Sequence, residues 1–223
     1  MASERVRLRN EARRSEILRA AARVFRRLGL AGAGMREIAD EAGLSPGNLY
    51  HYFSGKDQIL LFCQERTLER LLDAVDQGKR ADASAADRLR QVLREHVHAM
   101  LDDLDGATAH LEVEALPQAL RAPVIAKRDA YERALRSIVT QGVARGEFAP
   151  CDAALVTRAM LGAVNWSARW YRPEGAKSPR AIADALADYL VKGLLASPLV
   201  TGAASAAVKP PLARRAALSG ADR

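Results

Sequence analysis

The sequence is poor in cysteine, in aromatic residues and in long apolar runs. Two of its 223 residues are cysteines, Cys63 and Cys151, and they stand far apart without a CxxC spacing. The pattern therefore indicates neither a zinc site nor a disulfide framework. No apolar run approaches the ~18 residues that a membrane-spanning helix needs, and the basic N-terminus lacks the apolar segment of a signal peptide. We expect a cytoplasmic protein with no metal site and no membrane partner.

The motifs of common enzyme classes are also missing. The sequence contains no nucleophile elbow, no glycine-rich phosphate loop and no metal-ligand cluster. Glu112 and Glu114 are a candidate pair of catalytic carboxylates, and His96 and His98 are a candidate pair of metal ligands. The two residues of each pair are two positions apart on an expected helix, so their side chains point in different directions. We expect no catalytic residue and no cofactor, and a helical enzyme is the weakest of the alternatives.

The residues that are abundant favour helices. Apolar residues make up 49% and aromatic residues 5%, and the apolar part is rich in alanine and leucine, which are good helix formers. No convincing alternating strand pattern is present. In contrast, Ile17, Ala21, Val24 and Leu28 recur at spacings of four, three and four residues, which predicts a first helix over residues 10–28. An all-α fold is therefore expected.

The net charge of +7 is unevenly distributed. Residues 1–56 carry eleven Lys or Arg against six Asp or Glu, whereas residues 57–197 carry nineteen against twenty. A local basic excess is typical of a nucleic-acid-binding surface. Residues 198–223 carry four Lys or Arg against one Asp or Glu. Their apolar residues show no helical periodicity, so we expect a disordered tail. Arginines alternate within residues 1–9, which predicts a flexible basic arm that either reaches over DNA or is a frayed terminus.

Residues 35–56 predict two short helices joined by a glycine turn. The first ends at Gly43, which can take the positive φ that stops a helix at little steric cost. Ser45 is a good N-cap and Pro46 suits the first position of a second helix that extends to about Tyr52. This helix exposes Ser45, Gly47, Asn48, Tyr50, His51 and Tyr52. Small polar and hydroxyl-aromatic side chains there suit a DNA major groove, where the second helix of a helix-turn-helix docks.

This segment resembles the DNA-binding domain of the TetR family of bacterial one-component repressors. The resemblance covers roughly residues 10–62 and is carried by the run MREIADEAGLSPGNLYHYFSGKDQIL. Its most specific part is the aromatic group Tyr50, Tyr52 and Phe53, followed three residues later by Lys56. A bare helix-turn-helix pattern is far less specific than this combination.

The resemblance implies a nine-helix, two-domain, all-α fold and a homodimer. A helix-turn-helix domain would occupy residues 10–56, and a ligand-binding and dimerisation domain would occupy residues 57–197. Each protomer would present its second short helix to one half of a near-palindromic operator in double-stranded DNA. The expected phosphate contacts are Tyr50, Tyr52 and Lys56, and the residues expected to face bases or backbone are Ser45, Gly47, Asn48 and His51.

The sequence departs from the family immediately before Met35. Members usually carry Ser or Thr there, which caps the helix and offers a hydroxyl to a phosphate, but this chain has Gly34. Glycine caps a helix nearly as well and has no hydroxyl. We therefore expect no side-chain contact from this position, while its backbone N–H is still available to a phosphate.

Two tryptophans mark the penultimate long helix expected in the second domain. Trp166 and Trp170 share one face when each residue turns the helix by about 100°, and Arg158 and Arg169 follow one edge of that face. The four side chains are candidates for a ligand with an apolar part and phosphates, because guanidinium pairs bidentately with phosphate. The alternative is that the tryptophans anchor the core or the dimer interface and the arginines are solvated surface residues.

A second resemblance concerns the C-terminal run GAVNWSARWYRPEGAKSPRAIADALADYLVKGL. The run is similar to the C-terminal segment of TetR-family regulators that respond to acyl-CoA thioesters. It implies a repressor that is released from its operator by an acyl-CoA. A competing hypothesis is a TetR-like repressor that senses lipophilic drugs, which is expected to need buried acidic residues beside aromatics. Glu112 and Glu114 are the obvious candidates for that role.

Overall fold

The computed structural model of the protein describes residues 2–80, 83–101 and 113–196, and these residues form an all-helical fold. The helices are α1 (Ala2–Gly32), α2 (Met35–Glu41), α3 (Pro46–Tyr50), α4 (Lys56–Arg80), α5 (Ala85–Leu101), a 3-10 turn (Val113–Ala115), α6 (Gln118–Ala144), α7 (Ala153–Trp170) and α8 (Pro179–Lys192). The prediction of an all-α fold is confirmed. None of the helices in the described ranges combines the length and the apolar character needed to cross a membrane.

Eight α-helices lie within the described residues, where nine were expected for the whole chain. Residues 102–112, between α5 and the 3-10 turn Val113–Ala115, lie outside the described residues. Glu112 is therefore outside them, as is the tail expected at residues 198–223.

The first helix begins at Ala2, so residues 2–9, for which the sequence predicts a flexible basic arm, are helical in the structure. The segment contains neither glycine nor proline to interrupt a helix. An ion pair between Glu4 and Arg7, three residues apart with N–O distance 2.9 Å, also suits helical spacing. The arginines of this segment therefore project from a helix, and residues two apart on a helix point in different directions.

The end of α1 is kinked at Gly29. This residue has φ 70° and ψ 167° inside an otherwise helical run, a left-handed conformation that glycine adopts without a side-chain clash. One further turn follows, in which the N–H of Ala33 donates to the Gly29 carbonyl at 3.2 Å. The sequence signal that ends the regular helix at Gly29 is thus correct, although the chain continues in a short helical turn to Gly32.

Two apolar cores follow one another along the chain and share α4. The first joins α1, α2, α3 and the first half of α4, with large buried members Ile17, Leu18, Ile38, Leu49, Phe53 and Ile59. The second joins the rest of α4 to α5–α8, with large buried members Leu89, Leu93, Met100, Leu135 and Phe148. Leu68 belongs to the first core and Leu71 to the second, so a displacement of α4 is felt in both.

The helix α5 is the centre of the second core. It packs against α4, α6, α7 and α8, and its fully buried residues include Leu89, Val92, Leu93 and Val97. The start of α6 also reaches the first core through Val124. The C-terminal region therefore touches the N-terminal one through α4 and α6 together.

Candidate nucleic-acid interface and effector site

The turn between α2 and α3 is built on Gly43. Its φ of 62° lies in the left-handed region that favours glycine. The N–H of Leu44 donates to the Ala39 carbonyl at 2.9 Å and closes the end of α2. Ala39 and Leu49 are fully buried, one in each short helix. The two helices are thereby held as a helix-turn-helix, as the sequence predicts.

The cap of α3 leaves one face of the helix open. The Ser45 hydroxyl accepts a hydrogen bond from the N–H of Asn48 at 3.2 Å, and Pro46 occupies the first helical position. Five residues expected to meet DNA are solvent-exposed and form what we call the reading face: Ser45, Gly47, Asn48, Tyr50 and His51. Because the capping bond uses one lone pair of the Ser45 oxygen, the hydroxyl proton and the second lone pair stay available to DNA.

The two remaining candidates for DNA contact are half-buried. Tyr52 packs against the first core, and the Lys56 ammonium donates to the Leu30 carbonyl at 2.7 Å. An ammonium has three donors, so Lys56 retains two for a phosphate while it ties α4 to the end of α1. The structure therefore gives both residues an anchoring role that the sequence did not indicate.

The glycines at the two helix starts differ in what surrounds them. A Cβ added at Gly47 would meet no atom within 4 Å, and Gly47 is not among the residues with positive φ. The fold therefore does not require glycine there, which fits close approach by a partner. Gly34 caps α2 with its backbone and makes no side-chain cap bond. A Cβ there would meet the Glu37 carboxylate, the mobile end of a flexible side chain.

An ion-pair cluster fixes α2 against α1. Arg23 Nε donates to Glu41 Oε1 at 2.7 Å, and Arg27 donates to Glu41 Oε2 at 3.1 Å. The hydrogen bond from Arg23, followed by that from Arg27, lowers the pKa of the Glu41 carboxyl below its usual value. Both arginines are half-exposed or more, so the cluster orients α2 more than it stabilises the fold.

A second clamp holds the loop after α3. The Arg14 guanidinium lies 4.6 Å from the ring centre of Phe53 and 4.5 Å from that of Phe62, and the two rings are 5.5 Å apart. Stacking of this kind joins α1, the loop and α4. Arg14 of α1 is thus part of the support for the reading face.

The second domain places both tryptophans on an outer surface. Exposed residues recur along α7 at helical spacing and form what we call the α7 stripe: Leu155, Ala159, Gly162, Trp166 and Trp170. Trp166 is 65% exposed and Trp170 is 48% exposed. A Cβ at Gly162 would meet no atom within 4 Å. An apolar stripe with small residues at its centre is typical of a surface on which another helix packs.

The structure does not bring the four expected ligand residues into one site. Trp170 lines an apolar groove of about 590 Å³ between the end of α7 and α8. Arg169 lines a separate cavity of about 760 Å³, which we call the junction cavity because it lies between the two cores. Trp166 and Arg158 are exposed and line neither space. The two arginines share a helix edge, but only one reaches a cavity.

A buried polar cluster that the sequence did not indicate lies inside the second domain. His96 of α5 is within 3.1 Å of the Tyr131 hydroxyl of α6 and 3.0 Å of Asn165 Oδ1 of α7. Because Asn165 Oδ1 accepts, His96 carries its proton on Nε2, and Nδ1 accepts from Tyr131. Burial lowers the pKa of His96 to about 4 and raises the pKa of Tyr131. The neutral imidazole is therefore the form that the fold accommodates.

Comparison with known proteins agrees with the helix-turn-helix described for the N-terminal region and with the helical second domain. Residues 17–62 match the family model described as bacterial regulatory proteins, tetR family, and residues 82–194 match the model described as tetracyclin repressor-like, C-terminal domain. The chain is similar to the HTH-type transcriptional repressor KstR2 of Mycobacterium tuberculosis, at 32% identity over 175 residues, 73% of this chain and 83% of that protein.

Two solved structures show the same fold along most of their length. The TetR family transcriptional regulator PfmR from Thermus thermophilus has a TM-score of 0.71 and 30% identity, covering 79% of this chain and 97% of PfmR. The structure of AibR in complex with isovaleryl coenzyme A and operator DNA has a TM-score of 0.68 and 26% identity, covering 82% of this chain and 98% of AibR.

Proposed function

The chain belongs to the TetR family of bacterial transcriptional regulators, and we propose that it is a homodimeric repressor that leaves a near-palindromic operator when it binds an acyl-CoA thioester. Its relatives are transcriptional regulators, so the chain is a ligand-responsive, DNA-binding protein. The observation that carries the proposal is the reading face on α3, which the Gly43 turn and the two arginine clamps hold outward.

We assign two kinds of DNA contact around α3. Asn48 and His51 lie on the exposed reading face, and amide and imidazole side chains discriminate base edges in the major groove. Tyr50, Tyr52 and Lys56 surround that face and are assigned to phosphates, which set position and affinity without reading sequence. Tyr50 is 54% exposed, so a phosphate can reach its hydroxyl without rearrangement of the fold.

We assign dimerisation to the α7 stripe and α8. Tyr189 of α8 is 76% exposed and Leu155 of α7 is 65% exposed. Between the two helices lies a groove of about 490 Å³ lined by Val156, Ala159, Leu190 and other apolar residues. A second copy of the chain would cover these surfaces by two-fold packing of the same helices. This assignment gives Trp166 the role of an interface anchor, the alternative that the sequence left open.

The effector is assigned to the acyl-CoA class on two grounds. The AibR structure, which is similar over 82% of this chain, contains isovaleryl coenzyme A together with operator DNA. In addition, no acidic side chain is fully buried in the part of the chain that the structure describes. Glu114, a candidate for a drug-sensing site, has an 86% exposed side chain and pairs with Arg121 at 2.6 Å. A lipophilic cation therefore finds no fully buried acidic residue among the described residues.

Helix α4 is the element that would carry the signal to the reading face. It contributes to both cores, and Lys127 of α6 pairs with Glu69 of α4 at 2.9 Å and with Glu65 at 3.4 Å. A ligand that moves α6 or α7 would therefore shift α4 and change the separation of the two reading faces in a dimer. By linkage, operator DNA must weaken effector binding by the same factor.

The experiment that tests this function begins with the DNA. Binding sites are selected from a random duplex library with the full-length protein, and the selected sites are then titrated in the presence of acyl-CoAs of increasing chain length. The proposal expects a two-fold symmetric site, two chains per duplex and loss of DNA affinity with at least one thioester. Release by cationic dyes instead of thioesters would establish the drug-sensing alternative.

A further inference from the structure

The junction cavity is lined by elements from both cores. Its lining comes from the end of α1, the start of α4, the 3-10 turn and the last turn of α7. Phe25, Leu30 and Leu60 provide an apolar floor, and Arg169 enters from the second domain. The volume of about 760 Å³ is within the range of sites that hold small molecules.

The charged groups of the cavity are mainly cationic. Arg26, Lys56 and Arg169 line it together with one carboxylate, that of Asp57. Arg169 and Arg26 are exposed and Lys56 is half-buried, so an anion can approach all three cations from solvent. Guanidinium and ammonium groups that converge on a partly apolar space suit a ligand with phosphates attached to an organic body.

We propose that the junction cavity binds the phosphate-bearing part of the effector and that Lys56 is shared between this anion and the operator. The inference rests on the proposed acyl-CoA response. The Lys56 ammonium already donates to the Leu30 carbonyl, which lines the same cavity. An anion held by Arg169 and Arg26 draws the remaining Lys56 donors inward, away from the DNA phosphate. The effector and DNA therefore compete for one side chain.

The position of the cavity also couples ligand binding to the placement of α1 relative to the second domain. Gly29, whose φ of 70° kinks the end of α1, is part of the lining together with Arg26 from the regular part of the same helix. A ligand that bridges Arg169 of α7 to this end of α1 connects the second domain to α1 directly. The bridge acts alongside the α4 route and needs no change inside either core.

Isothermal titration calorimetry of the full-length protein with coenzyme A, an acyl-CoA series and the matching free carboxylic acids tests the proposal. We expect coenzyme A to bind without any acyl group and the free acids not to bind. We expect Arg169→Gln to weaken coenzyme A and acyl-CoA binding at least tenfold. Arg133→Gln, which removes an exposed arginine of α6 outside the junction cavity, serves as the matched control and should bind like the wild type.

Two further variants separate the possible outcomes. Arg158→Gln removes a guanidinium from the same helix edge without touching the junction cavity, so the proposal is overturned if this variant, rather than Arg169→Gln, loses affinity. Lys56→Met should weaken both coenzyme A and DNA and reduce the factor by which one ligand weakens the other. If acyl-CoAs bind and all these variants match the wild type, the cavity assignment fails while the proposed function stands. If no thioester binds the wild type, both fail.

Discussion

The Lys56 ammonium donates to the Leu30 carbonyl across 2.7 Å, and this one bond ties the first residue of α4 to the last turn of α1. It places a cation that the sequence assigns to DNA at the boundary between the two cores. The same side chain therefore has a structural partner, a proposed phosphate partner and a position in the junction cavity.

Replacement of Lys56 by methionine should affect stability and DNA binding in different ways. The apolar stem is kept and the bond to Leu30 is lost, so the free energy of unfolding should fall by about 1 kcal/mol. DNA affinity should fall for all sequences alike, and the slope of log affinity against log salt should flatten by ~0.9, the value of one phosphate contact. Denaturant titration and a salt series on two different duplexes measure the two effects. A loss confined to one DNA sequence would contradict the assignment.

Asn48→Ala and Tyr50→Phe should differ in how their loss of DNA affinity depends on the base sequence. Removal of the Asn48 amide should cost ~1–3 kcal/mol at one operator position and relax the base preference there. Removal of the Tyr50 hydroxyl should weaken every duplex similarly, because a phosphate contact carries no sequence information. Binding of each variant to a set of single-base operator changes distinguishes the two patterns. If both variants lost affinity in the same way across the operator changes, the assignment of Asn48 to a base and Tyr50 to a phosphate would be contradicted.

Gly47→Ala should separate folding from DNA binding. The added Cβ would have no neighbouring atom within 4 Å among the described residues, and alanine in a helical position reduces the freedom of the unfolded chain, so stability should rise by ~0.5 kcal/mol. If DNA approaches this position closely, affinity should fall about tenfold, which corresponds to ~1.4 kcal/mol. Thermal melting and a binding titration on the same preparation provide both values. Unchanged DNA affinity would show that Gly47 is not at the interface.

Trp166→Glu should convert the dimer into a folded monomer. The side chain is 65% exposed in the single chain, so its loss leaves no cavity, whereas a carboxylate in an apolar two-fold interface is strongly unfavourable. Sedimentation velocity measures the state of association, and circular dichroism measures the helix content. Ile125→Glu is the matched control, because Ile125 is also exposed, at 45%, but lies on α6 outside the α7 stripe. A Trp166→Glu protein that remains dimeric would refute the assigned interface.

The buried His96 should make stability fall in mild acid. The pKa of His96 is about 4 in the folded chain, where the ring is buried, and 6.5 when the ring is exposed to water. As the pH falls, the unfolded chain therefore binds a proton at His96 before the folded chain does. Stability from this group is fully present above pH 6.5 and is lost as the pH decreases toward 4, at up to ~1.4 kcal/mol per pH unit. Denaturant titrations between these pH values, compared with His96→Gln, isolate the effect. A wild type and variant with the same pH dependence would contradict it.

The sequence predicted the reading face well because its signals are local. Gly43, Ser45 and Pro46 act through their own backbone conformation or within three residues, and the structure shows the positive φ, the cap and the first helical position as expected. The flexible arm expected for residues 1–9 rests on a weaker signal. Arginines at alternate positions do not exclude a helix, and residues 2–28 contain no glycine or proline that would interrupt one.

The second domain was harder to predict because its site depends on contacts between distant elements. A helical wheel correctly places Trp166 and Trp170 on one face, but it does not tell whether that face turns inward or outward, and the structure turns it outward. Similarly, Tyr131 belongs to an inward stripe with Leu135 and Ile138, which marks it as buried. No pattern in the sequence pairs it with His96, which lies thirty-five residues earlier on another helix.

The most direct test of the account is the affinity of the full-length protein for a selected operator duplex, measured by fluorescence anisotropy with and without a saturating acyl-CoA that binds the wild type. The account predicts two chains per duplex and an increase in the DNA dissociation constant of about tenfold or more, matching the factor by which the duplex weakens the thioester. An operator affinity that stays the same at saturating thioester would contradict the account.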